Sequence, residues 1–94
     1  MAWHFDTGSS GGSGGTAAMG VSVNSGALVD GVSNSVAHGL VGFTDFNLQA
    51  LDSNNNIVEC QILTPDPAFP TSKFLIQVVG INFPAGLTVN VIGF

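Results

Sequence analysis

Residues 36–64, VAHGLVGFTDFNLQALDSNNNIVECQILT, decide how the rest of the chain is read. A short apolar lead reaches His38-Gly39-Leu40 and turns. Phe46, Leu48 and Ala50 then alternate with Asp45, Asn47 and Gln49, a period of two that points one face of a strand inward. Asp52-Ser53-Asn54-Asn55-Asn56 marks a reversal, because Asp and Asn bond to their own backbone and tolerate left-handed conformations. Beyond it, Val58, Cys60 and Ile62 alternate with Glu59 and Gln61. The expectation is a β-hairpin over residues 46–62 in an all-β domain.

The same period extends both ways from this stretch. Upstream, Met19, Val21 and Val23 alternate with Gly20 and Ser22, and Asn24-Ser25-Gly26 forms a turn cluster. Residues 27–30 make a short strand candidate, and Gly31 permits another reversal. Val32, Asn34, Val36 and His38 share one phase. Downstream, residues 64–71 (TPDPAFPT) contain three prolines, which cannot donate to a central ladder; they read as a surface loop or crossover carrying Phe69. Phe74, Ile76 and Val78 are the next inward set. Leu87, Val89 and Val91 alternate with Thr88 and Asn90 before Ile92 and Phe94. A phenylalanine in Phe94's place is expected to pack on the domain or on a partner. Six or seven short strands without helical periodicity predict a small antiparallel β-sandwich, Ig-like or jelly-roll-like, with an open barrel as the second choice.

Residues 1–16 differ in kind. MAWHFDT places Trp3 and Phe5 on one side of an extended segment, and GSSGGSGG follows, with no side chain able to pack. An engineered linker shares that composition, but the two aromatics after Met1 favour a natural arm. The expected organisation is therefore an extended Gly/Ser-rich N-terminal arm over 1–16 and a β-sandwich domain over 17–94.

Charge narrows the function classes. Lys73 is the single basic residue against six carboxylates, giving a net charge of −5, and only 7% of residues are charged. One cation cannot neutralise a run of phosphates, so neither nucleic acid nor an anionic membrane surface is an expected partner. A surface built from Ser, Thr, Asn, Gln, Gly and apolar groups favours contact with other chains. The single cysteine, Cys60, excludes an intramolecular disulfide and reads as a small core residue.

Motifs with chemical meaning are weak. Gly8-Ser9-Ser10-Gly11-Gly12 and Gly11-Gly12-Ser13-Gly14-Gly15 match G-x-S-x-G, yet a nucleophile elbow needs a strand before the serine and a helix after it. Asp52-x-Asn54-x-Asn56 starts like a calcium loop, but Ile57 and Leu63 stand where glycine and glutamate are required. His4 and His38, with Asp6 or Asp45, lack the spaced partners of a zinc site. No catalytic, cofactor-binding or metal-binding residue is expected, and the chain reads as non-enzymatic.

Val36-Ala37-His38-Gly39-Leu40, then residues 46–52 (FNLQALD), the turn Asn54 to Asn56, Ile57-Val58, and the closing run Leu87 to Gly93 (LTVNVIG) form one pattern. It resembles a small β-sandwich module of bacteriophage virion proteins, often found at tail-fibre ends. Val41 makes the turn after His38 one residue longer than in that pattern. The resemblance covers about sixty residues and implies a virion location and a structural role. The short chain with its arm looks like a capsid decoration (cement) or head-associated protein. On this reading it attaches through the arm and apolar edges, with Trp3, Phe5 and Phe94 as partner-binding anchors. Its partners would be copies of itself, with a trimer as one arrangement, and other virion subunits. The alternative is a tail-fibre or receptor-binding module that recognises a cell-surface glycan or protein through Asn54, Asn55, Asn56 and Phe69.

Overall fold

The computed structural model describes residues 18–94; Trp3, Phe5 and the Gly/Ser tract lie outside the described residues. Six strands follow in order: β1 (Met19–Asn24), β2 (Asn34–Ala37), β3 (Phe46–Leu51), β4 (Ile62–Asp66), β5 (Phe69–Gln77) and β6 (Thr88–Gly93). They form two antiparallel three-stranded sheets, β1-β6-β3 and β2-β5-β4. The protein is a small β-sandwich.

Alternation builds the core. From β6, Val89 and Val91 point inward, and from β5, Phe74 and Ile76; Leu28, Val78 and Leu87 join them from the flanking segments. All seven are at most 1% exposed, and burying each such side chain contributes about 1.5–3 kcal/mol. Val21 and Val23 of β1 and Phe46 and Leu48 of β3 pack around this centre. The inward sets expected from periodicity in β3, β5 and β6 are thus the ones observed, and in β1 Val21 and Val23 follow the pattern while Met19, at the end of the strand, is exposed. At the end of β6 the packing tightens: a Cβ added to Gly93 would stand 2.7 Å from Cγ of Phe43.

Three expectations fail. The reversal at residues 52–56 forms as expected: Asp52 Oδ1 accepts the backbone N–H groups of Asn54 and Asn56, and Asn55 is left-handed at φ 63°. The return leg does not form a hairpin ladder with β3. It makes a single bridge, Leu51 to Ile57, flanked by two bonds, Val58 N–H to Ala50 O and Asp52 N–H to Asn56 O. The chain then crosses to the other sheet, where residues 62–66 become β4 beside β5. Val58 and Cys60 still turn partly inward, so alternation gave their facing but not their pairing.

Residues 64–71 are not a loop. They form the tip of the β4–β5 hairpin, with Pro65 in β4 and Pro70 in β5. Pro65 is tolerated because β4 lies at a sheet edge, and Pro70 because the ladder breaks register between Pro65 and Asp66. Residues 27–30 make only a bridge, Leu28 to Phe83.

Candidate functional site

The registers sort the connections to two ends of the sandwich. His38 N–H bonds to Ser72 O, and its ring lies 4.7 Å from that of Phe46 at the start of β3. One end therefore holds residues 38–45 and the hairpin tip at Asp66–Phe69. The other holds residues 25–33, the turn at 52–56 and residues 78–87. Asn54, Asn55 and Asn56 are exposed at this second end, whereas Phe69 is half-exposed at the first. The structure does not bring these four residues together. One face of Phe69 is also taken, by the Lys73 ammonium 4.5 Å from the ring centroid. Phe94 is half-exposed, and its backbone exchanges two hydrogen bonds with Asp45.

The hairpin tip is held by Asp66. Its carboxylate accepts the Ser35 hydroxyl from β2 and, at 2.9 Å, the Ala68 N–H within the turn. Those two donors hold its pKa below the ordinary carboxylate value, with Lys73 adding a smaller pull. His38 is buried. Its Nδ1 accepts the Leu40 N–H at 3.0 Å, while Nε2 has no hydrogen-bond partner. Burial lowers its pKa, so the ring is held neutral. Partial burial raises the thiol pKa of Cys60, whose S–H points to Val58 O. Among the described residues no three His, Cys, Asp or Glu side chains form a metal-holding group.

Large apolar side chains are exposed at both ends. Val29 and Val32 occupy one loop of the second end, and Val79 and Ile81 the loop beside it. These loops are fixed to each other. Gly31 N–H bonds to Val78 O, Gly80 N–H to Asp30 Oδ1 at 2.7 Å, and Asp30 N–H to Asn82 Oδ1 at 2.8 Å. Aliphatic groups are thus presented to solvent on braced backbone. Met19, Val41, Phe69 and Phe94 are exposed at the opposite end.

The outer face of the β1-β6-β3 sheet is polar and uncharged. At its centre Ser22, Asn90 and Gln49 stand in one row across the three strands. Sequence reasoning placed Asn90 only as the polar alternate to Val89 and Val91. The available signal was an asparagine at mid-strand, a position the residue seldom takes.

Protein-family models, curated proteins and solved structures were compared with the chain, and none matches. The likeness to the phage module rests on the motif residues alone.

Proposed function

We propose that this chain is a non-enzymatic structural protein that works by seating its apolar ends on other protein chains. Its placement as a virion decoration or head-associated component is drawn from the motif resemblance. The observation that carries the contact role is the second end, where Val29, Val32, Val79 and Ile81 are each about half exposed on loops already braced by Asp30 and Asn82. Apolar area on rigid backbone binds without first paying the entropy of ordering a loop. The surroundings hold little charge to keep a neighbour away. The receptor-binding alternative needs Asn54, Asn55, Asn56 and Phe69 to act as one site, and their separation at opposite ends counts against it.

The test has two parts. Sedimentation of the pure chain should show self-association that Val29→Asp with Ile81→Asp removes while the circular dichroism of the fold stays unchanged. Purified particles from the source should carry the chain at a fixed copy ratio. A strictly monomeric chain that is absent from such particles would end the proposal.

A further inference from the structure

We propose that the outer face of the β1-β6-β3 sheet binds a neutral saccharide, with the side-chain amide of Asn90 at its centre. Asn90 sits mid-way along β6, the central strand, and is only 2% exposed. Its Oδ1 accepts the Ser22 hydroxyl at 2.6 Å, which fixes the plane of the amide. Its Nδ2 is buried and has no hydrogen-bond partner. A buried donor of this kind is costly to leave unmade, and native proteins seldom do so without a role for it.

The amide borders a shallow depression of about 290 Å³ lined by Asn47, Leu48, Gln49, Asn90 and Ile92. That is the lower end of small-molecule sites, which hold roughly 300–1,000 Å³. The register places Gln49 directly across from Asn90, with Asn47 across from Ile92. No side chain of this lining is charged, which disfavours phosphate, carboxylate or ammonium ligands.

Three primary amides, those of Asn47, Gln49 and Asn90, offer donors and acceptors around the depression. Neighbouring hydroxyls on a sugar ring present the same pattern, and each hydroxyl both gives and takes a hydrogen bond. Ile92 and Leu48 are the aliphatic residues of the lining, and an aliphatic surface suits the C–H face of a ring. The site is open and lacks an aromatic platform, so it should hold one or two rings with a Kd on the order of 1 mM. This face is distinct from the apolar ends, and its role stands or falls separately from theirs.

The experiment is an NMR titration of the full ¹⁵N-labelled chain with D-glucose, D-galactose, N-acetyl-D-glucosamine and maltotriose, each to about 20 mM, well above a millimolar Kd. The expected result is a saturable shift of the Asn90 and Gln49 side-chain NH₂ signals with at least one sugar. Asn47→Ala with Gln49→Ala, at exposed positions that leave the fold intact, should weaken that binding at least about tenfold. Asn90→Asp, which keeps the shape but removes the donor, should abolish it. The proposal is overturned by no saturable shift with any of the four sugars, or by a shift that survives the Asn47/Gln49 variant. NMR evidence that the Asn90 NH₂ is already bonded to the Gln49 carbonyl oxygen overturns it as well.

Discussion

Gly93 and Phe43 offer a test in which the sign of one substitution should depend on its background. An alanine Cβ at 93 would meet Phe43 Cγ at 2.7 Å, closer than real Cβ atoms approach, and Cβ and Cδ2 at 3.0 Å, tighter than most real contacts. Both residues are buried, and the ring belongs to the core. Gly93 has no positive φ, so alanine is compatible with its backbone. Overpacking costs about 1–3 kcal/mol, partly offset by the about 0.4–1 kcal/mol that Gly→Ala contributes by restricting the unfolded chain. The net expectation for Gly93→Ala is a loss of about 1–2 kcal/mol. Phe43→Ala alone should cost about 3–5 kcal/mol through lost burial and a cavity.

On the Phe43→Ala background the two ring atoms are gone and only the Cβ at 3.0 Å remains, a contact that a shift of a few tenths of an ångström relieves. Gly93→Ala should then be neutral or stabilising by up to about 1 kcal/mol. The coupling between the sites is therefore about 1–3 kcal/mol, at or above the additivity error of independent positions. Urea unfolding of the four proteins reads it directly. With a slope of about 1–3 kcal/mol per molar, the Gly93→Ala midpoint should fall by roughly 1 M in the wild type and by nothing in the Phe43→Ala chain. A domain of this size has about 4–12 kcal/mol to lose, so the single variants should still fold in the cold. Strict additivity would refute the reasoning, since it would mean that Phe43 simply moves aside.

Two pH effects should accompany it. His38 is held neutral in the fold, so its folded pKa lies below the unfolded value of 6.5. The unfolded chain then binds more protons, and stability is full above pH 6.5 and falls as pH drops through the folded pKa, by at most about 1.4 kcal/mol per pH unit. His38→Gln should flatten that slope in urea midpoints measured across this window; an unchanged slope would remove His38 as its source. Asp66 has the carboxylate version of the same sign. Its depressed pKa contributes stability present above 3.8 and lost below it. Ser35→Ala and Asp66→Asn should each blunt the acid limb of thermal unfolding, and a limb unaltered in both would show that the hairpin tip does not depend on this carboxylate.

How much could be read in advance depended on whether the information was local. Val89, Val91, Phe74 and Ile76 announce their facing by alternation, because a strand has two faces and the core is on one. The turn at Asp52 was equally legible, since its bonds run from one side chain to N–H groups two and four residues on. Pairing was not. Whether Val58 and Cys60 continue beside β3 or the chain crosses to β5 depends on which sheet has a free edge, and that is a property of the assembled fold. Pro65 and Pro70 misled for the same reason, because a proline's cost in a strand depends on who sits beside it. Asn90 was visible as a residue but not as a site, since its burial comes from neighbours 41 and 68 positions away in the chain.

The four outer strands are not equally open to a newcomer. β4 carries Pro65, which has no N–H to offer, and β2 is only four residues long. β3 has its outer side partly occupied by Ile57 and Val58. Among the described residues only β1 presents six residues of unshielded backbone. Strand addition to this molecule would therefore be one-sided: an extra strand can continue the sheet beyond Ser22, and the other three borders resist it. A subunit with one receptive border and three closed ones joins once and stops, and such a border favours a finite complex over an open fibre.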